Sequence, residues 1–237
     1  VFGGRSVIYK ETIAEAGEGF DAYTMPKPCW AVLRFVVEPL ARGSGVEYEC
    51  RVSPKKLPYR YQNHVKTAVS RALAQGIHGW EVTDIKVTLV DGEYHNEHTH
   101  PLDFFVATPM ALAKALLDAG TILLEPMLTL CISAPEECAG KVIGEIVNAE
   151  GEFDSPVIEK GRFIVEAQVP AAKSLDLPAK LAAISGGRGV MTSTLSGYRA
   201  CPPGFVMTTP RRGVDPLDRS KYILWARNAI GTFGDTL

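Results

Sequence analysis

The chain has 237 residues, of which 46% are hydrophobic and 22% are charged, an ordinary composition for globular domains. The formal net charge of -2 and the isoelectric point near 6.3 exclude a nucleic-acid binder that works by bulk positive charge. No stretch approaches the ~18 apolar residues of a membrane span, and five scattered cysteines without a C-x-x-C pair predict a reduced, cytoplasmic protein.

The N-terminal part of the chain begins with strand patterns. Val7–Tyr9 starts a strand, and the apolar run Trp30–Leu40 predicts a buried one. Arg42–Gly45 has the composition of a turn, and alternation resumes over Glu47–Ser53. These two strands are therefore predicted to form a hairpin.

Helical spacing follows the predicted hairpin. Apolar residues at this spacing predict a helix over Tyr61–Leu73, with Gly76 as its C-terminal cap. Val82–Val90 reads as a strand with alternate residues on one face. Phe104–Leu117 predicts a second helix that stops at Gly120.

The C-terminal part of the chain follows a second pattern. Six segments alternate between strand and helix character in the order βαββαβ, which is typical of ferredoxin-like domains. They are Met127–Ser133, Pro135–Val147, Pro156–Glu159, Arg162–Val169, Ser174–Ile184 and Val190–Tyr198, with Lys160-Gly161 predicted as the hairpin turn between the third and the fourth.

A loop between strand and helix carries three of the five histidines, at His95, His98 and His100. Imidazoles at these spacings supply ligand types that zinc accepts, although H-E-x-x-H is absent. The alternative is a loop that contacts a large partner, in which histidine rings and Trp30 stack on unpaired bases. A packed core position for Trp30 is a third interpretation.

Glycine clusters and a basic tail complete the motifs. Neither Gly43-Ser44-Gly45 nor Gly186–Gly189 is a P-loop, so this chain alone is not expected to bind or hydrolyse a nucleotide. Between Arg199 and Arg227, six basic residues face two acidic ones. A helix over Asp218–Ile230 is predicted either to dock on its own domain or to contact RNA, and the two roles are compatible because only one face need dock.

Several runs, in order along the chain, resemble the tetracycline ribosomal-protection proteins and their relative elongation factor G. They are Pro28–Ala31, Pro39–Glu49, Tyr61–Val65, Gln75–Asp84, the junction Leu123–Pro126, and Pro210-Arg211-Arg212 before a short helix. The resemblance covers nearly the whole chain.

The resemblance implies the C-terminal part of a translational GTPase. Its fold would be α+β, with a ribosomal protein S5 domain 2-like domain at 1–122, a ferredoxin-like domain at 123–200 and a tail with a helix at 201–237. The chain starts at Val1 with Gly3-Gly4 close behind, so we expect that it was cut from a longer protein. GTP and Mg are expected in the upstream domain, and no cofactor in this part.

The resemblance also implies a partner, the ribosome with its 16S and 23S rRNA, bound by a cytoplasmic monomer that does not enter membranes. Loops Pro26–Trp30, Ala41–Gly45 and Tyr94–Pro101 would reach the decoding region and release the drug. The expected rRNA-binding residues are Pro28, Trp30, Gly43, Ser44, Tyr94, His95, Asn96, Glu97, His98, Thr99, His100, Arg211, Arg212 and Lys221.

The third loop departs from the family pattern. The protection proteins carry a Ser-Pro-Val-Ser-Thr type of tip, whereas this chain has Asn96-Glu97-His98-Thr99-His100. Two alternatives to drug release therefore stay open. One is an elongation factor G-like translation factor without protection activity, and the other is a metal-binding module that uses the loop histidines.

Overall fold

The computed structural model describes residues 7–24 and 29–233, with side chains described up to residue 227. The chain divides into two compact units. The first unit joins residues 10–123 to residues 202–233, and the second joins residues 7–9 to residues 124–201. The division into 1–122, 123–200 and 201–237 stays a prediction.

Eleven strands and five α-helices occur in the described residues. In chain order they are β1 Lys10–Ile13, β2 Gly17–Thr24, β3 Trp30–Pro39, β4 Val46–Cys50, α1 Tyr59–Ala72, β5 Glu81–Val82, β6 Ile85–Glu93, α2 Asp103–Asp118, β7 Thr121–Pro135, α3 Ala139–Asn148, β8 Glu152–Phe153, β9 Val157–Glu159, β10 Arg162–Pro170, α4 Leu177–Ser185, β11 Val190–Ala200 and α5 Arg219–Phe233.

The first unit is built on a four-stranded sheet in the order β2-β3-β6-β4. Strand β3 runs antiparallel to β2 and β6, whereas β4 runs parallel to β6. The predicted β3–β4 hairpin is therefore wrong, because β6 lies between these strands. The buried carboxylate of Asp84, just before β6, accepts from Gly45 N at 3.0 Å and Arg42 Nη1 at 3.1 Å and so ties the loop before β4 to β6.

The core of the first unit lies between this sheet and helices α1, α2 and α5. Alternate β6 residues Ile85, Val87 and Leu89 are fully buried, as their spacing predicts. The predicted helices are confirmed, and Gly120, with φ +71°, ends α2. The predicted start of a strand at Val7 is wrong, because β1 begins at Lys10.

The Gly76 cap is also wrong. Helix α1 ends at Ala72, and its cap residue Leu73 keeps a right-handed φ of −71°. A Cβ on Gly76 would lie 2.4 Å from Glu11 Oε2. Gly76 therefore leaves room for the buried Glu11 side chain and does not cap the helix.

The second unit has the ferredoxin-like order β7-α3-β9-β10-α4-β11, with short β8 added before β9. Strand β7 pairs antiparallel with β10 and with β11, and β10 also pairs with β8 and β9. Lys160 and Gly161, at φ +49° and +73°, make the predicted turn between β9 and β10. One apolar core joins this sheet to α3 and α4.

Within residues 7–24 and 29–233, no helix combines the length and hydropathy needed to cross a bilayer.

Candidate nucleic-acid interface

The start of β3 and the loop after β6 lie beside each other at one end of the four-stranded sheet. Strand β3 begins at Trp30 and the neighbouring strand β6 ends at Glu93, with Val32 paired to Glu93. The start of β3 therefore lies beside the loop that follows β6. We call Trp30 together with residues 94–100 the aromatic tip.

Hydrogen bonds from buried side chains hold the aromatic tip together. Asp103 Oδ2 accepts from Trp30 N at 3.0 Å and from His100 N at 2.8 Å. Thr99 Oγ1 accepts from His95 N at 2.7 Å and donates to Trp30 O at 2.6 Å. Burial raises the pKa of Asp103, although the two amide donors oppose this shift. The loop is thus held by its own contacts, although most of its side chains are exposed.

The rings of the aromatic tip form a short stack. The His95 and His98 imidazoles are nearly parallel, at 13° and 4.4 Å between centroids. Trp30 lies against His95 at 5.6 Å and 46°. His98 is exposed, while Trp30 and His95 are half-buried. The stack therefore presents ring surface to solvent, which suits stacking on an unpaired base.

Tyr94 lies at the base of the tip. Its ring contacts Tyr61 of α1 at 5.5 Å, and Tyr61 contacts Phe104 of α2 at 4.9 Å. The Arg60 guanidinium lies 4.5 Å above the Tyr61 ring. Tyr94 is consequently half-buried against the core and anchors the loop to both helices.

Gly43 and Ser44 lie at the other end of the sheet. Their loop is bound to Asp84, before β6, whereas the aromatic tip follows the end of β6. The two ends of the nine-residue strand β6 are eight steps of ~3.3 Å apart, about 26 Å. The structure therefore does not bring Gly43 and Ser44 to the tip, and Pro28 lies outside the described residues.

The basic residues of the tail lie elsewhere in the first unit. Arg211 donates to the carbonyls of Gln75 and Gly76 beyond the C-terminal end of α1, and Arg212 N donates to Gln75 Oε1 at 2.7 Å. The length of α1, about 20 Å at 1.5 Å per residue, separates this region from Tyr61 at the base of the tip. Lys221 is exposed and pairs with Asp218 at 2.8 Å.

The tail helix docks on its own unit. Tyr222, Ile223 and Ala226 of α5 are buried in the core. Arg219 donates to the buried carboxylate of Asp21 at 3.3 Å and to Ala22 O at 2.8 Å. The docked interpretation of this helix is thereby confirmed, and the basic surplus of the tail is partly neutralised inside the unit.

The described part of the chain does not support a metal centre. No three His, Cys, Asp or Glu side chains converge there in a way that could hold a metal ion. His95 and His98 are stacked face to face, and Glu97 N donates to His95 Nδ1 at 3.2 Å. This backbone contact already uses one His95 ring nitrogen.

Sequence patterns did not predict how two residues organise the tip. Asp103 stands in the first turn of α2, where an acidic residue is common because of the helix dipole. That signal predicts a helix start and does not predict a bond to Trp30, which lies 73 positions away. Tyr61 was predicted as a helix core residue and belongs to the matched run Tyr61–Val65, but its contact with Tyr94 was not predicted.

Comparison with known families agrees with this two-unit architecture. Residues 5–120 match the model of elongation factor G, domain IV, and residues 122–208 match that of the elongation factor G C-terminus. The chain belongs to the elongation factor G family. It carries domain IV, with the aromatic tip, followed by the ferredoxin-like C-terminal domain.

Curated relatives of this elongation factor G-like chain are tetracycline resistance proteins. It is 34% identical to TetP of Clostridium perfringens over 234 residues, 97% of this chain and 35% of TetP. It is 33% identical to TetW of Butyrivibrio fibrisolvens and 31% identical to TetM from transposon Tn1545 of Enterococcus faecalis, in each case over 92% of this chain and 34% of the relative. The chain thus spans about a third of the length of these relatives.

A solved structure shows the same fold. A crystal structure of a Thermus thermophilus protein superposes with a TM-score of 0.78 at 28% identity, covering 86% of this chain and 31% of that one. The predicted fold class is confirmed: α+β, with an S5 domain 2-like domain, a ferredoxin-like domain and a C-terminal helix.

Proposed function

We propose that this chain is the ribosome-binding C-terminal region of a translational GTPase of the tetracycline-protection type. In this proposal the aromatic tip contacts 16S rRNA at the decoding region and releases the drug. The observation that carries the proposal is the cluster of Trp30, His95 and His98. The His95 and His98 rings stack, His98 is exposed, and Asp103 and Thr99 hold the backbone of Trp30 beside them.

The chemistry of the tip favours recognition by stacking. Rings of histidine and tryptophan bind unpaired bases through their faces and need little net charge, and the chain has a net charge of -2. Affinity for the ribosome would then come from several domains that act together. GTP and Mg would bind in an upstream domain. The C-terminal region would bind the ribosome and would not itself catalyse bond cleavage.

The other predicted contacts occupy separate surfaces. Arg212 and Lys221 would meet rRNA from the tail, including 23S rRNA, while Gly43 and Ser44 would serve a contact at the far end of the sheet. The protein would act as a cytoplasmic monomer. The second candidate function, an elongation factor without drug protection, is favoured by the departure of Asn96–His100 from the protection pattern.

Replacement of Tyr94–His100 by a Gly/Ser loop of equal length tests the proposal. In the full-length protein, this replacement is expected to abolish tetracycline resistance, measured as the minimal inhibitory concentration, because the stacking rings are gone. Expression and GTP hydrolysis should persist. A control loop replacement at Pro203–Phe205, in the tail, should leave resistance intact.

Two outcomes contradict the proposal. Unchanged resistance in the Tyr94–His100 variant would show that the tip is not needed for protection. An intact protein that confers no resistance but supports tRNA translocation would favour the second candidate.

A further inference from the structure

An unassigned cavity of about 450 Å³ lies inside the first unit. It is bounded by α1, α2, the tail before α5, and α5 itself. Its walls are mainly apolar and include Phe105, Leu112, Ala113, Val214 and Trp225. Small-molecule sites commonly have volumes of about 300–1,000 Å³ and apolar walls with a few polar groups.

Three arginines give the cavity a positive charge. Arg71, Arg211 and Arg212 line it, and among the described residues that line it there is no Asp or Glu. The Arg71 guanidinium lies 5.2 Å above the Phe105 ring, and Arg211 donates to backbone carbonyls. Neither contact removes a charge, and none of the three arginines joins an ion pair with another residue of the described chain.

Tyr222 adds a neutral polar group to the wall. Burial raises the pKa of this tyrosine to about 12, against the opposing charge of Arg211. Its hydroxyl therefore stays protonated at neutral pH and can donate a hydrogen bond. The wall thus combines guanidinium and hydroxyl donors with an apolar body.

We propose that this cavity binds a small organic anion that has an apolar body, such as a free medium-chain carboxylate. The apolar part would lie against Leu112, Ala113 and Trp225, and the anionic head would meet Arg71 and Arg212. A protein partner is a poorer fit, because a stable interface buries about 800 Å² on each side. A cavity of this volume receives only a few side chains.

Isothermal titration calorimetry with octanoate and with 1-octanol tests the inference on the 237-residue chain. Octanoate is expected to bind saturably, at least about tenfold more tightly than the uncharged alcohol, which corresponds to ~1.4 kcal/mol. Arg212→Gln should weaken octanoate binding at least about threefold and leave octanol binding unchanged. Ala113→Phe should weaken the binding of both ligands, because the new ring occupies the part of the cavity where the apolar body would lie.

The control is Lys55→Gln, which removes the same charge from an exposed position outside the cavity lining. Circular dichroism checks that each variant is folded. The inference is overturned by equal affinity for octanoate and octanol, by an equal effect of Lys55→Gln and Arg212→Gln, or by an absence of saturable binding. Binding to anionic phosphatidylglycerol vesicles without binding of free octanoate would also overturn it.

Discussion

Gly19→Ala is expected to destabilise the first unit by at least about 3 kcal/mol, the upper end of the usual cost of overpacking a core. An ideal Cβ on Gly19 would lie 2.0 Å from Ala111 O and 2.4 Å from Ala115 N, both in the backbone of α2. Backbone atoms cannot rotate away, so either the strand or the helix must shift. Urea unfolding followed by circular dichroism measures the loss.

Gly144→Ala is the matched control for this change. Gly144 lies within α3 of the second unit, and a Cβ there meets nothing within 4 Å. The same substitution should therefore stabilise that unit by ~0.5–1 kcal/mol, because alanine loses less backbone entropy in a helix. Equal stability of the Gly19→Ala variant and the parent chain would contradict the close β2–α2 packing.

Asp103→Ala is expected to have the second largest effect. It removes the acceptor of two part-buried amide donors, Trp30 N and His100 N. A buried orphaned donor costs about 1–3 kcal/mol and water can partly satisfy these two, so a loss of about 2 kcal/mol is expected in urea unfolding. The near-ultraviolet circular dichroism of Trp30 should also change, because its backbone is released from the tip.

Asp118→Ala, at the other end of α2, is the control. Asp118 is exposed and accepts one bond, from Glu18 N at 2.9 Å, so its loss should cost at most about 1 kcal/mol. If Asp103→Ala and Asp118→Ala cost the same, Asp103 does not hold the tip as described.

The pH dependence of Asp103 gives an independent readout. Burial holds the folded pKa of Asp103 above its ordinary value. The stability that this group contributes is therefore fully present below the unfolded pKa and is lost as the pH rises through the folded pKa. In the Asp103→Asn variant, the pH-dependent contribution of Asp103 to the unfolding free energy should be absent. A plot of unfolding free energy against pH measures this loss.

Local sequence patterns predicted the elements that depend only on residues close together in the chain. The period of α1, the alternation of β6 and the Lys160-Gly161 turn each depend on neighbouring residues, and the structure confirms them. Strand β2 was missed because its buried face includes Gly17 and Gly19, which carry no apolar side chain to count. Glycine occurs at these two positions because α2 approaches the strand closely, and no local sequence pattern indicates that approach.

The prediction of a β3–β4 hairpin was wrong for a related reason. Sequence adjacency suggested that β3 and β4 pair, but β4 pairs with β6, and Asp84 holds the intervening loop across about 40 residues of chain. The candidate site shows the same contrast between local patterns, which were predicted, and contacts between distant residues, which were not. Histidine enrichment identified the loop, whereas its attachment to Trp30 through Thr99 and Asp103 depends on bonds that span about 70 residues. A position matched by resemblance, such as Ser44, likewise carried no information on its distance from the tip.

Chemical probing of 16S rRNA in ribosomes bound to the full-length protein tests whether the aromatic tip contacts rRNA. We expect the protein to shield unpaired bases of the decoding region from dimethyl sulfate. Trp30→Ala and the Gly/Ser replacement of Tyr94–His100 should lose this shielding while the protein stays ribosome-bound. An identical modification pattern for the parent protein and both variants would contradict the assignment of the aromatic tip as an rRNA contact.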